Sequence, residues 1–275
     1  MLKGLKKRAT RLYRKFSWRQ RVLPGLIIIG AQKSGTTSLH NYLSQHPQLV
    51  PAYRKEVHFF DGGLDARTDT WSKGVQWYHS HFPRRGDLTE GQTTFEASPL
   101  YLFNPLVAAR IAATLPEVKL VAILRNPVER ALSQFFYETR IGHESLSIRE
   151  AFAAEEKRLA PAKETGNYKL PEFIHNSYLS RGIYYEQLQR YYELFPREQL
   201  LVIDSGAFFR APENGLKQVF AFAGVDENFA VGNLKAVNVG RNRKEVDEDF
   251  REQLKGYYSG HNEKLFDMLG KRFEW

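Results

Sequence analysis

The segment Leu26-Ile27-Ile28-Ile29-Gly30-Ala31-Gln32-Lys33-Ser34-Gly35-Thr36-Thr37-Ser38-Leu39 determines the fold more directly than any other part of this chain. Its four opening aliphatic residues predict a buried parallel strand, and helical spacing resumes at Ser38. Two glycines permit a tight loop between these elements. Free backbone N–H groups and the dipole of the following helix converge on such a loop, so the sequence predicts a site for a phosphate-bearing ligand. The candidate binding residues are Lys33, Ser34, Gly35, Thr36, Thr37 and Ser38.

The position of the lysine separates two kinds of phosphate loop. A nucleoside-triphosphate loop reads G-x-x-x-x-G-K-[ST], with its lysine directly after the second glycine. Here the glycine spacing is the same, but Thr36 occupies the lysine position and Lys33 lies inside the loop. The aliphatic strand 118–124 also leads into Arg125 instead of an aspartate able to hold magnesium. A P-loop nucleotide kinase or NTPase is therefore the disfavoured enzymatic alternative.

A second candidate anion site follows that strand, in the run Arg125-Asn126-Pro127-Val128-Glu129-Arg130-Ala131-Leu132-Ser133. Pro127 suits the first turn of a helix, which places Arg125 at the end of the strand and Ser133 about two turns into the helix. Ligands of open α/β sheets bind outside the carboxyl ends of the strands. We therefore expect Arg125 and Ser133 to hold one anion near the other end of a nucleotide bound by the glycine loop. The alternative is that Arg125 caps the helix or pairs with Glu129.

These two segments resemble the sulfotransferases that use 3′-phosphoadenosine 5′-phosphosulfate (PAPS). The family's 5′-phosphosulfate loop carries K-x-G-T-T, as residues 33–37 do, and its 3′-phosphate site carries R-x-P-x-x-R-x-x-S, as residues 125–133 do. The resemblance implies that PAPS is the donor, that 3′-phosphoadenosine 5′-phosphate (PAP) is the product, and that no metal is required. A late basic run resembles the family segment that closes over the 3′-phosphate, although a solvated charged turn is the alternative. Its candidate cofactor contacts are Arg241, Arg243 and Lys244.

The candidate catalytic base lies in Lys55-Glu56-Val57-His58-Phe59-Phe60-Asp61. In extended structure Glu56 and His58 point to the same face, and apolar neighbours are expected to raise the pKa of Glu56 towards neutrality. A surface strand is the alternative. The segment resembles the K-E-x-H-F-F motif of glycosaminoglycan-type sulfotransferases, including those that modify heparan sulfate. That resemblance implies that Glu56 is the base and that His58 assists it, with Lys33 supporting the leaving group. Arg54 and Asp61 are candidate acceptor contacts.

The acceptor is less well defined by the sequence. The run 94–101 resembles the family's E-K-[ST]-P-x-Y strand end, but Ala97 stands where the heparan sulfate enzymes usually place a lysine. This departure argues against a heparan-type acceptor. The expected acceptor is a hydroxyl or amine of a carbohydrate, a glycolipid or a small natural product. Six residues either line an acceptor pocket or pack a lid: Tyr53, His58, Trp71, Trp77, Tyr78 and His81.

The basic character of the chain is concentrated at its start. Residues 1–24 contain nine lysines and arginines and no acid, which accounts for the whole formal net charge of +9. Leu2, Leu5, Leu12 and Phe16 recur there at near-helical spacing, which predicts a basic amphipathic arm that contacts an anionic membrane surface or a polyanionic partner. The alternative is a solubilising arm docked onto the domain through Leu12 and Phe16. Nucleic acid is not an expected partner, since no motif for it follows. A non-catalytic, membrane-associated nucleotide-binding module is the remaining alternative function.

Strand and helix patterns alternate over residues 25–275, which predicts a single α/β domain with a P-loop-like parallel β-sheet flanked by helices on both faces. The predicted strands are 26–30, 92–97, 118–124 and 199–204, with an extended piece at 50–53. The predicted helices are 35–46, 104–114, 127–140, 148–158, 179–194, 212–223 and 250–269. Residues 160–168 are predicted to be flexible. Residues 61–91 and 141–175 are predicted to be flexible coverings over the acceptor site.

Composition limits the cellular setting. The 275-residue chain has no cysteine, which excludes disulfides, zinc–thiolate sites and thiol nucleophiles. The start is too basic for a secretory signal, and no apolar run is long enough to span a membrane. The sequence therefore predicts a cytoplasmic protein, with the bacterial cytosol as the favoured location.

Overall fold

The computed structural model describes Thr10 and residues 13–235 and 246–275. Its centre is a five-stranded sheet in the order β2-β3-β1-β4-β5, and every neighbouring pair is parallel. The strands are β1 (Leu26–Gly30), β2 (Leu49–Pro51), β3 (Thr93–Ala97), β4 (Lys119–Leu124) and β5 (Leu200–Asp204). The predicted parallel sheet is confirmed, and the predicted strands agree with the observed ones to within one residue, apart from the extended piece at 50–53, which forms β2.

Helices cover both faces of the sheet, as predicted. They are α1 (Thr36–Leu43), α2 (Gly74–His79), α3 (Val107–Thr114), α4 (Pro127–Arg140), α5 (Ile148–Ala153), α6 (Glu155–Thr165), α7 (Pro171–His175), α8 (Tyr184–Tyr192), α9 (Ser205–Arg210), α10 (Pro212–Ala223) and α11 (Glu248–Leu269). None of the helices described is both long and apolar enough to cross a membrane.

The alternating side chains of β1 explain why its sequence is aliphatic throughout. Ile27 and Ile29 pack into one cluster with α3, α8 and the end of α11, whereas Leu26 and Ile28 pack into another with α1, α9 and α10. All four side chains are at most 1% exposed. A strand covered on both faces has no solvent side, so its sequence shows a continuous apolar run instead of alternation.

The prediction of a flexible segment at 160–168 is wrong over most of its length, because α6 continues to Thr165 with Pro161 inside it. Leu159 and Ala162 are buried in a small cluster with Phe103, so tertiary packing holds the helix despite the proline. The covering 141–175 likewise contains three helices, α5 to α7.

The described part of the N-terminal arm packs on the domain. The guanidinium of Arg21 is buried and donates to the carbonyl oxygen of Phe82 at 2.6 Å. Arg14 lies 3.6 Å from the ring centroid of Tyr53. The docking residues differ from those expected, since Phe16 is 81% exposed. Leu12, the other expected docking residue, lies outside the described residues.

The topology places a ligand crevice at one edge of the sheet. From central β1 the chain turns to β2 and β3 on one side, and later crosses to β4 and β5 on the other. In open parallel sheets, ligands bind outside the carboxyl ends of the strands at such a reversal. The β1–α1 loop, Arg125 after β4 and Asp204 at the end of β5 all lie at this edge.

Candidate active site

A cavity of about 580 Å³ opens at the carboxyl edge of the sheet. The β1–α1 loop forms one wall, and α4, the start of α9 and the last residues of the chain form the others. The structure therefore brings together most of the predicted site residues. Those lining the cavity are Lys33, Ser34, Gly35, Thr36, Thr37, Ser38, Glu56, Arg125 and Ser133.

The loop owes its shape to Gly35, which precedes α1 with φ at +100°. A Cβ atom at Gly35 would lie 2.4 Å from Cε2 of Phe209, so a side chain there would displace that ring. Lys33 also has a positive φ, +70°, which is unusual for a residue with a side chain. The hydroxyl of Ser205 donates to the carbonyl oxygen of Ser34 at 2.8 Å and ties the loop to α9. The loop is thus built in advance around the space that an anion would occupy.

Lys33 is the strongest electrostatic feature of this loop. Its Nζ lies 4.1 Å from the ring centroid of Tyr137 on α4. Burial lowers the pKa of Lys33 to about 8; the positive charges of Arg140 and Arg125 add to this effect, and the carboxylate of Glu138 opposes it. A bound phosphate would relieve this crowding of positive charge, because an anion favours the ammonium form.

Arg125 connects the loop to α4. Its guanidinium donates to the carbonyl oxygen of Lys33 at 3.2 Å and to a carboxylate oxygen of Glu129 at 3.4 Å. The sequence alternative of an Arg125–Glu129 pair is therefore present, although Glu129 is shared with Arg251 at 2.6 Å. The cap of α4 is Asn126, which accepts from the backbone N–H groups of the first turn. Arg125 therefore pairs with Glu129 and lines the cavity at the same time.

Glu56, His58 and Asp61 form one connected group. His58 Nδ1 lies 2.6 Å from Oδ2 of Asp61, and His58 Nε2 lies 3.6 Å from Oε2 of Glu56. Burial disfavours the charged imidazole, but the two carboxylates outweigh it and raise the pKa of His58 to about 9. Burial also disfavours the Glu56 carboxylate, but His58 and Lys55 outweigh it and lower that pKa to about 2. The group is thus a carboxylate facing the cavity, backed by an imidazolium and a second carboxylate.

The geometry of this group corrects two predictions. The segment is not extended, since Glu56 and His58 have φ of +59° and +53°. Their side chains still meet, because Ala97 O accepts from the Glu56 N–H at 3.0 Å and Ser98 Oγ accepts from the His58 N–H at 3.3 Å. The expected rise in the pKa of Glu56 is also wrong. The apolar neighbours Val57 and Phe59 do not set this pKa; the cations of Lys55, which precedes Glu56 in the sequence, and of His58 do.

Neither candidate acceptor contact lies in the cavity wall. Asp61 is 2% exposed, and its two carboxylate oxygens accept from His58 Nδ1 and from the Gly63 N–H. Its contacts position His58 instead. Arg54 is exposed on the surface. Six residues were predicted either to line an acceptor pocket or to pack a lid. Of these, Trp71, Trp77 and Tyr78 pack around Phe59, in agreement with the lid alternative.

A buried carboxyl group behind this site was missed by the sequence reasoning. Glu96 on β3 is 1% exposed and accepts from the hydroxyls of Tyr78 at 2.6 Å and Ser98 at 2.9 Å. Burial raises the pKa of Glu96 to about 7 against the opposing effect of these hydrogen bonds. Since Ser98 also holds the His58 backbone, Glu96 supports from beneath the segment that carries Glu56 and His58. The sequence signal for this carboxyl group is the Glu96-x-Ser98 pair in the run 94–101. The sequence prediction used that run only for its resemblance to the family motif.

The last residues of the chain were also missed. Trp275 and Glu274 line the cavity, and the indole Nε1 of Trp275 donates to Oδ2 of Asp204 at 2.6 Å. The other carboxylate oxygen of Asp204 caps α9 through the Ala207 N–H. Asp204 is the acid at the end of β5, and these bonds occupy both of its oxygens.

The third predicted cofactor segment cannot be placed. Arg241, Arg243 and Lys244 lie outside the described residues.

The fold agrees with what comparison with known proteins finds. The model of the sulfotransferase domain family matches residues 23–239. The chain therefore belongs to the sulfotransferase family, whose members take the sulfuryl group from PAPS.

A solved sulfotransferase from Alicyclobacillus acidocaldarius is 31% identical, with a TM-score of 0.73 over 92% of this chain and 98% of that one. Among curated proteins, the membrane-associated sulfotransferase kil1 of Dictyostelium discoideum is 27% identical over 92% of this chain. The human bifunctional heparan sulfate N-deacetylase/N-sulfotransferase 1 is 29% identical over 90% of this chain. The chain spans 66% of the length of the first and 30% of the second.

Proposed function

We propose that this protein transfers the sulfuryl group of PAPS to a hydroxyl or amine of a carbohydrate-type acceptor, with Glu56 as the base. One observation carries the proposal: Lys33 and Glu56 line the same cavity, so a half-buried cation and an ionised carboxylate face one ligand space. Sulfuryl transfer needs both, a cation at the leaving phosphate and a proton acceptor at the attacking group.

The donor would lie along the carboxyl edge of the sheet. Its 5′-phosphosulfate fits the β1–α1 loop, where Lys33 and the first N–H groups of α1 supply positive potential. Its 3′-phosphate fits the opposite part of the cavity, beside Arg125 and Ser133. Because Arg125 also holds the Lys33 carbonyl, binding at one phosphate would order the loop at the other.

The reaction would proceed in line. The acceptor oxygen or nitrogen bonds to sulfur while the bond from sulfur to the bridging phosphate oxygen breaks, and PAP leaves with that oxygen. Lys33 stabilises the charge that develops there. The acceptor proton passes to Glu56, whose carboxylate is held ionised by His58 and Lys55. His58, fixed by Asp61, positions Glu56 and keeps an imidazolium close to the reacting group.

Relatives support a carbohydrate as the acceptor class, and Ala97, at a position where the heparan sulfate enzymes usually have a lysine, limits that class. A related protein is named for heparan sulfate N-sulfation, which makes a carbohydrate the first acceptor to test. Ala97 ends β3 fully buried, so it offers no cation to a highly anionic chain. A less charged carbohydrate or a glycolipid therefore fits better than heparan sulfate itself.

The N-terminal arm would bring such an acceptor to the enzyme at an anionic membrane. The exposed Phe16 and the basic residues around it form a suitable surface, and one relative is named as membrane-associated. A cytoplasmic location remains a prediction.

Two measurements test the proposed function. Calorimetric titration with PAP, with ADP and with ATP plus magnesium should show micromolar binding of PAP alone. A preference for ATP with magnesium would instead favour the nucleotide-kinase alternative. Transfer of labelled sulfate from PAPS to a panel of neutral glycans and glycolipids should then find an acceptor. With that acceptor, Glu56→Gln should keep PAP affinity but lose at least about 10²-fold in turnover; normal turnover in this variant would remove Glu56 from the base role.

A further inference from the structure

The structure contains a cluster of metal-ligating side chains apart from the cavity lining. Glu138 near the end of α4, His143 in the loop after it and His175 at the end of α7 converge on one point. Oε2 of Glu138 lies 3.0 Å from Nδ1 of His143 and 3.1 Å from Nδ1 of His175. The two imidazole rings have centroids 3.8 Å apart.

We infer that Glu138, His143 and His175 form a binding site for a divalent first-row transition ion of the Zn²⁺ type. Two imidazoles and one carboxylate are a donor set that Zn²⁺ uses in proteins, with a further position left for water. Metal–ligand bonds of about 2.0–2.1 Å in a tetrahedron place neighbouring ligand atoms roughly 3.4 Å apart. The two nitrogen-to-oxygen distances are within a few tenths of an ångström of that spacing, so little movement is needed.

The cluster combines one buried carboxylate with two partly exposed imidazoles, as a metal site that an ion reaches from solvent requires. The Glu138 side chain is 2% exposed, whereas those of His143 and His175 are 44% and 25% exposed. An ion can therefore enter from the histidine side and meet a carboxylate that is already desolvated. Without an ion, each ring donates Nδ1–H to the carboxylate; with one, each ring carries its hydrogen on Nε2, towards solvent.

The backbone around the histidines is held in place independently of the rings. The His143 N–H donates to the carbonyl oxygen of Glu138 at 2.9 Å. The carbonyl oxygen of His175 accepts from Gln134 Nε2 at 2.9 Å, and that of His143 accepts from Asn176 Nδ2 at 3.3 Å. These bonds fix the positions from which both rings reach the carboxylate. A bound ion would fasten the loop after α4 to the end of α7, within the covering predicted over the acceptor site.

The inference is tested by metal binding to the full chain, expressed without a histidine tag and stripped with a chelator. Competition between the protein and a chromophoric chelator should give one Zn²⁺ per chain. His143→Gln and His175→Gln should each weaken Zn²⁺ binding at least about tenfold. The matched control is His261→Gln, which removes a partly exposed histidine of α11 outside the cluster and should leave the affinity unchanged.

Cobalt substitution gives a readout that needs no variant. One equivalent of Co²⁺ on the wild-type chain should produce the visible absorption of a four- or five-coordinate nitrogen–oxygen site, and Zn²⁺ should displace it. The inference is overturned if this absorption is absent at stoichiometric Co²⁺. It is also overturned if the double variant His143→Gln/His175→Gln binds Zn²⁺ as tightly as the wild type does.

Discussion

The proposed contact between Lys33 and a phosphate of PAP predicts an affinity that depends on pH in a direction that the structure specifies. Burial, with Arg140 and Arg125 nearby, lowers the pKa of Lys33 to about 8 in the free protein. A bound phosphate needs the charged ammonium and raises that pKa, so the complex holds more protons than the free protein above about pH 8. Affinity must therefore fall as the pH rises through that value.

The size of the effect follows from the charged fraction of Lys33. With a pKa of about 8, that fraction falls from about nine-tenths near pH 7 to about one-tenth near pH 9. The dissociation constant for PAP should then rise about tenfold, which corresponds to about 1.4 kcal/mol. The phosphates contribute little to this change, because their second pKa is about 6 and about nine-tenths of them already carry the second charge at pH 7.

Calorimetric titration of PAP across this pH range measures the slope, and buffers of different ionisation enthalpy measure the proton taken up. The control is Lys33→Arg, which keeps the charge but does not titrate, so its affinity should be nearly constant. His58, with a pKa of about 9, is intact in both proteins and is thereby separated from the effect of Lys33. An equal tenfold loss in Lys33→Arg would refute the assignment to Lys33.

Three further predictions concern the same site. Asp61→Asn should lower kcat about 10²-fold with little change in KM, and the pKa of His58 in the pH–rate profile should fall from about 9, because the charge that supports the imidazolium is lost. Gly35→Ala should weaken PAP binding more than tenfold in calorimetry while the protein still melts cooperatively, since its Cβ would lie 2.4 Å from the Phe209 ring. Lys33→Met should raise the melting temperature near pH 7 by about 3 °C. Removing this desolvated charge should increase the free energy of unfolding by about 1 kcal/mol after allowance for solvent screening. The pKa of Lys33 is about 8 in the folded wild type and 10.5 in the unfolded chain. Wild-type stability should therefore rise as the pH increases from about 8 to 10.5, and the advantage of Lys33→Met should vanish above that range.

The features predicted correctly from the sequence are those set by local patterns. The aliphatic run of β1, the glycines of the loop and Pro127 at the start of α4 act within a few residues, and α4 ends at Arg140 as predicted. That Lys33 and Arg125 would meet required only the rule that parallel strands share one carboxyl edge.

What could not be predicted depends on contacts between distant parts of the chain. The positive φ of His58 is stabilised by Ser98, forty residues away in the sequence. The charge state of Glu56 depends on how the Lys55 and His58 side chains are turned towards it, and the backbone of this segment is held by bonds to Ala97 and Ser98, far away in the sequence. No periodicity near Trp275 indicates that it reaches β5, because the bond to Asp204 spans 71 residues.

The position of Trp275 gives the molecule a built-in optical reporter. Of the four tryptophans, Trp71 and Trp77 pack in the aromatic cluster around Phe59, and Trp18 contacts His79. Trp275 alone among them lines the cavity, with its indole fixed to Asp204. A nucleotide entering that space would displace water from the indole and change its emission, while the other three would contribute a constant background. Occupancy of the pocket should therefore be readable in real time by intrinsic fluorescence, with Trp275→Phe as the silent reference.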